Sequence, residues 1–174
     1  MIRSNLRGVY ASVSLANLAW DENQERAIDR IAASGKAAKL GVYLWKSRYM
    51  LEVAAYHRAH DLLLVLYRRR YARDSITVAK AMVEQAMLEY IYPQCRACLG
   101  KGERMVDEVL VMCDVCAGSR VHKYKDAERS RRMQISYSIT RASGHKLAWL
   151  HDRITDEDRQ VNERLNIELE RDCA

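Results

Sequence analysis

The chain has 174 residues, 49% apolar and 30% charged, with one proline, seven glycines and no phenylalanine. This balance excludes disordered and collagen-like classes, and the length suffices for one globular core or two small ones. The formal charge is +6 and uneven: residues 120–146 hold eight Lys/Arg against two Asp/Glu, the remainder carries 21 of each sign, and residues 152–172 hold eight acidic and four basic side chains.

Concentrated positive charge of this kind points to a phosphate-bearing partner. Residues 1–19 are weakly patterned, with two arginines and no long apolar core, so no secretory leader is predicted. The longest apolar run, Leu62–Tyr67, is too short to span a bilayer. The expected setting is cytoplasmic, where thiols stay reduced.

A first helix is predicted to open at Asp21 as cap, with Gln24 three residues on and Trp20 as a staple. It buries Ala27, Ile28, Ile31 and Ala32 and stops at Ser34-Gly35. Residues 36–73 read as helix in two pieces. Met50, Val53, Ala54 and His57 are expected on one face, and Leu63, Leu64, Tyr67 and Tyr71 on another. Arg68, Arg69, Arg70 and Arg73 load the end of the second piece, where the partial negative charge of the helix carbonyls favours cations. Asp74-Ser75 caps the next helix, with Ile76, Ala79, Val83, Met87, Tyr90 and Ile91 as its stripe, ending before Pro93.

Two cysteine units follow, Cys95-Arg-Ala-Cys98-Leu-Gly-Lys-Gly and Cys113-Asp-Val-Cys116-Ala-Gly-Ser, with fourteen residues between Cys98 and Cys113. Each CxxC turn sets two thiolates close together, and two turns at hairpin distance complete a tetrahedron. Cys95, Cys98, Cys113 and Cys116 are therefore expected to bind one structural Zn2+ ion. Four thiolates leave no open position for catalysis. The glycines permit tight turns, and Glu103–Met112 reads as a short hairpin, giving a small zinc-ribbon-like lobe. His122 is expected at the surface and Cys173 as a free thiol.

Beyond the lobe, Lys125–Gln134 is helix-compatible with Asp126 as cap, and Ile135–Ser138 reads as a turn. A helix beginning near Thr140 or Ser143 runs to about Ile154. Thr155 then caps a further helix, with Asp158 as its partner and Val161, Leu165 and Leu169 buried. The fold class is mainly α: a helical bundle with an inserted lobe and a helix-turn-helix-like C-terminal segment. It divides into a helical region over 1–92, a metal lobe over 93–120, and a basic segment with its terminal helix over 121–174.

The CxxCxGxG run at Cys95–Gly102, the second unit at Cys113–Gly118 and the basic, tyrosine-containing stretch Tyr124–Ser136 resemble the Q-type late-gene antitermination proteins of lambdoid bacteriophages. The helical stretch from Asn23 to Tyr90 is compatible with that family. The chain departs from the pattern after Gly118, where Ser119 interrupts a Gly-x-Gly ending, and it is short at its beginning. The resemblance implies a mostly helical protein that binds DNA at a late promoter and loads onto paused bacterial RNA polymerase, which then reads through terminators. It implies DNA recognition after the lobe, at about Asp126–Ile154. Arg129, Arg131 and Arg132 would then contact phosphates. Arg141, Ser143, His145 and Lys146 would sit at the start of the following helix, where base edges are reached.

Two other classes remain open. A protein-interaction module acting through the lobe would show no salt-dependent DNA binding, and a general DNA-binding regulator would lack polymerase contact. The zinc region of DnaJ-type co-chaperones shares the CxxCxGxG unit, but those proteins carry more repeats of it and an HPD-bearing helical domain, both missing here. Neither a phosphate-cradling glycine loop, nor HExxH, nor a serine elbow occurs, so an enzyme is not expected.

Overall fold

The computed structural model describes residues 22–35 and 37–172. The cap at Asp21, its staple Trp20, residues 1–19 and Cys173 lie outside them. Helix α1, Glu22–Ser34, buries Ala27, Ile28 and Ile31 and ends at Gly35, whose φ of +66° suits glycine just past a helix end. Helix α2, Lys39–Trp45, winds directly into a π-helical stretch, Lys46–Met50. Leu51 then turns left-handed at φ +54° and helix α3, Val53–Arg70, begins.

That break changes the face α3 buries. Val53 is 55% exposed, and Ala54 and His57 are exposed too; the buried stripe is Ala55, Ala59, Leu63 and Tyr67. The expected face through Met50, Val53, Ala54 and His57 is therefore corrected. It assumed a continuous helical phase across Leu51, and a left-handed residue resets that phase. Helix α4, Ile76–Ile91, follows the sequence more closely. Ser75 caps it by accepting from the Val78 amide at 3.3 Å, and the helix ends two residues before Pro93.

The chain then leaves the bundle for a hairpin, β1 (Glu103–Val106) and β2 (Val109–Met112), paired antiparallel with Val106 opposite Val109. It returns through helix α5 (Asp126–Met133), helix α6 (Tyr137–Ala142) and helix α7 (Gly144–Asp172). Helix α6 takes in the second half of the expected turn: Ser136 caps it by accepting from the Ile139 amide at 3.4 Å.

Helix α7 runs 29 residues without the restart expected at Thr155. Its apolar stripe explains why. Leu147, Leu150 and Ile154 pack in one cluster with Leu63, Tyr67, Met82 and Met87 of α3 and α4. Val161 and Leu165 continue the stripe into a second cluster with Ile28, Ile31, Val42 and Trp45. Asp158, the expected capping partner, instead accepts from the Tyr90 hydroxyl at 2.6 Å and lies 3.8 Å from Arg48. One helix thus joins both cores, so α7 shares the interior of the helices before the lobe. Where α2 crosses α7, a Cβ at Gly41 would lie 2.7 Å from Val161 Cγ2 and 2.9 Å from the Glu157 carbonyl. Only glycine admits that approach. No helix among the described residues is long and apolar enough to cross a membrane.

Candidate metal centre and basic face

The four cysteines are brought together as their spacing predicts. Each Sγ lies within 4.8 Å of the others, and all four residues are buried. Two local loops of the same design position them. In the first, Leu99 and Gly100 have φ of +51° and +79°; in the second, Ala117 and Gly118 have +50° and +75°. The Lys101 amide donates to the Cys98 carbonyl at 2.9 Å, and the Ser119 amide to that of Cys116 at 3.0 Å. The loops also exchange bonds reciprocally. The Cys95 amide donates to the Arg120 carbonyl and the Cys113 amide to the Gly102 carbonyl, both at 2.8 Å. Gly102 and Arg120 are equivalent, four residues past each second cysteine, and both are left-handed at φ +83° and +65°. Arg120 thus takes, at the departure from the motif, the conformation that glycine takes in the first unit.

The sulfur positions discriminate between cross-link and metal. Cys95 and Cys113 Sγ are 3.9 Å apart, and Cys98 and Cys116 Sγ 3.8 Å apart. Disulfides need about 2.05 Å. A tetrahedral ion with metal–sulfur bonds of about 2.3 Å sets its sulfurs about 3.8 Å apart. The four free thiols therefore fit a closed metal site. Burial pushes the Cys95 thiol up to about 11. Burial acts the same way on Cys98, but the Gly102 amide, donating to its sulfur at 3.3 Å, and the neighbouring cysteines outweigh it and bring Cys98 down to about 7.

A closed neck ties this lobe to the bundle. Gln94 pairs with Val121, and the His122 amide donates to the Pro93 carbonyl at 2.7 Å. His122 is not a surface residue: its side chain is 15% exposed, with Nε2 2.9 Å from Glu128 and its ring edge-on to Tyr124 at 4.3 Å. Sequence placed it six residues past Cys116 but had no means of seeing the carboxylate on α5. Burial raises the Glu128 pKa, and the contacts with His122 and Arg132 together more than reverse this, leaving it below the usual range. Arg132 donates to the same carboxylate at 3.2 Å and lies over the Tyr124 ring. The lobe's orientation is thereby fixed against α5.

The basic residues named from the sequence divide into two groups. Arg129 donates from Nε and Nη2 to both Glu89 oxygens at 2.8 Å, clamping α5 to α4. Its expected place among phosphate contacts does not fit this geometry. Glu89 also receives Gln85 at 2.7 Å and lies 3.1 Å from His151. Burial alone would raise Glu89, but these donors, Arg129 foremost, hold it at about 2. Ser143 is turned inward at 4% exposure. Lys146 donates to both oxygens of Asp74 at 2.7 and 2.8 Å. Arg131, Arg132, Arg141 and His145 remain on the surface. Sequence reasoning missed Glu89, Asp74 and Glu128, whose partners lie on other elements or close up only once α5 forms.

No known protein family matches the chain, and neither does any curated protein or solved structure.

Proposed function

We propose that this chain is a zinc-stabilised, double-stranded-DNA-binding transcription factor of the phage late-gene antitermination type. It would act with bacterial RNA polymerase in the cytoplasm of the host. The observation that carries the reading is the join between the two parts of the site. A four-cysteine cluster with the donor set and spacing of a closed Zn2+ centre is locked at its neck to α5, whose basic face leads into α6 and the start of α7. Zinc in this role performs no chemistry: it folds the lobe and so sets the angle of the helices behind it. Arg131 and Arg132 bind backbone phosphates, while Arg141 and His145 reach base edges. The polymerase role and the late promoter rest on the sequence resemblance.

The test is a gel-shift titration against late-promoter DNA of the phage or prophage carrying the gene, at two salt concentrations with excess unrelated DNA. Site-selective binding that survives competitor is expected, followed by terminator read-through in run-off transcription. Arg141→Ala should cost about 1–3 kcal/mol on the cognate site and relax discrimination at one base pair. An equal loss on all sequences would make Arg141 a phosphate contact.

A second reading is a protein-interaction module, favoured by the hairpin surface. Leu99, Met105, Leu110 and Met112 are each more than 60% exposed, an unusual apolar display for so small a lobe. No duplex binding at any salt concentration would leave this reading alone. In the antitermination reading the same surface is where polymerase contact would fall, so the two are compatible.

A further inference from the structure

Two basic segments, distant in sequence, meet at one end of the bundle. One is the corner between α3 and α4, with Arg68, Arg69, Arg70 and Arg73; Asp74 is the single acidic residue between Asp61 and Glu84. The other is α6 with the start of α7, inside a stretch from Arg129 to His151 that has no acidic residue. The start of α7 is fixed to the corner by several contacts. Lys146 neutralises Asp74. Tyr71 sits edge-on to His145 at 6.1 Å and to Trp149 at 5.7 Å. The Arg70 guanidinium lies 5.3 Å from the Trp149 ring, and Lys146 Nζ lies 5.5 Å from that of Tyr71.

Helix-end electrostatics, the expected reason for the arginine cluster, accounts for part of it only. Arg68 donates to the Asp74 carbonyl and so closes the corner. Arg70 donates only to the Tyr71 hydroxyl, at 3.3 Å, and is exposed. Arg73 lies beyond the end of α3, on the connecting turn, where the helix dipole no longer acts as it does in the last turn. Arg73 is exposed, with no hydrogen bond or ion pair among the described residues. Arg69, Arg70 and Arg73, guanidinium groups without a carboxylate partner among the described residues, thus stand on a corner that packs against the start of α7, where His145 lies, and whose one acidic side chain is already neutralised. A planar guanidinium matches the bidentate geometry of a phosphate.

We infer that the α3–α4 corner is a second phosphate clamp on the same duplex, with Arg70 and Arg73 gripping the backbone beside the groove that Arg141 and His145 enter. Tyr71, Trp149 and the Asp74–Lys146 pair are positioning residues that hold the clamp against α7. This inference rests on the DNA-binding reading above.

The test measures how affinity of the full chain for the duplex depends on salt. Each lost phosphate contact reduces the slope of log K against log salt by about 0.9. R70Q/R73Q should therefore flatten the slope by about two while leaving the ratio of cognate to unrelated affinity unchanged. R73Q alone, which removes no intramolecular partner, should flatten it by about one and covers the case in which the double variant melts early. An unchanged slope in R73Q, with wild-type binding intact, overturns the clamp and leaves the DNA reading standing. A lower melting temperature with an unchanged slope makes the corner purely structural and also overturns it. Absence of duplex binding by the wild-type chain overturns both.

Discussion

In the bundle, Ile28, Leu44, Leu63, Met82, Leu150 and Val161 are fully buried in two apolar clusters that draw on five helices. In the lobe, over residues 94–121, the buried residues are the four cysteines and Gly102, while Met105, Val109, Leu110 and Met112 face outward. The lobe has the backbone of a folded unit without an apolar interior. A segment this small cannot bury enough surface to offset its own chain entropy; a metal ion held by the four cysteines would supply the missing cohesion. The contrast teaches that exposed apolar side chains mean different things in the two regions. In the bundle Val53, Val65 and Ile76 are scattered singly over a surface that has a core beneath it; on the hairpin the exposed side chains lie together with no apolar core beneath them.

Metal removal tests the comparison most severely. Chelation, or Cys113→Ser, should remove the lobe's folding free energy, on the order of 10 kcal/mol at neutral pH. Amide exchange over 94–121 should become fast, and one equivalent of zinc should be lost per chain. The helical circular dichroism should persist. Collapse of the helical signal together with the metal would break the claim that the two regions are held by separate means. The converse variant is Leu150→Ala, at a fully buried position of α7. It should lower bundle stability by about 2–5 kcal/mol in denaturant titration and leave zinc stoichiometry at one.

The difference between the regions also decides what could be read in the sequence. The lobe was legible because its chemistry is local: two CxxC units, a following glycine in each and a hairpin between them specify the site within 24 residues. The cap at Ser75 and the stop before Pro93 were legible for the same reason. The bundle hid what depends on contacts across it. Thr155 carries good capping chemistry, yet burial of Leu147, Ile154, Val161 and Leu165 on one stripe overrides it. Arg129 reads as a free cation until Glu89, forty residues earlier, appears opposite it. The buried face of α3 is not legible in the sequence because nothing in Leu51 announces a left-handed turn. The second unit's missing glycine is visible in the sequence as a departure, but only the structure shows that Arg120 bears the conformation.

Acid sharpens the comparison, because both regions lose stability there by different chemistry. In the lobe, protons would compete with a bound metal for the thiolates. In the bundle, the Glu89 carboxylate is held at about 2 against an ordinary 4.5. A carboxylate with a lowered folded pKa adds stability that is complete above about pH 4.5 and is lost as pH falls through about 2. The whole contribution is on the order of 3 kcal/mol. Wild type and Glu89→Gln should therefore differ in the pH slope of unfolding free energy between about pH 5 and pH 2, with the wild type steeper. Metal loss is common to both proteins and cancels in that difference.

The smallest expected effect is also the most specific. The lobe's two loops are near-copies, related by reciprocal amide bonds, yet one carries Gly102 and the other Arg120 at equivalent left-handed positions. A side chain in that region costs about 1 kcal/mol, and glycine returns part of this through its greater freedom when unfolded. Arg120→Gly should stabilise the metal-bound lobe by a net of roughly 0.5 kcal/mol. Competition with a chromophoric chelator, without DNA, should then show zinc held about twofold tighter. Gly102→Ala should act in the opposite sense and more strongly, since its Cβ would lie 3.0 Å from the Gly118 carbonyl oxygen in addition to the strained φ. If the two substitutions moved zinc affinity in the same direction, the loops would not be equivalent. The lobe's stability would then depend on the Arg120 side chain itself rather than on backbone shared with its counterpart.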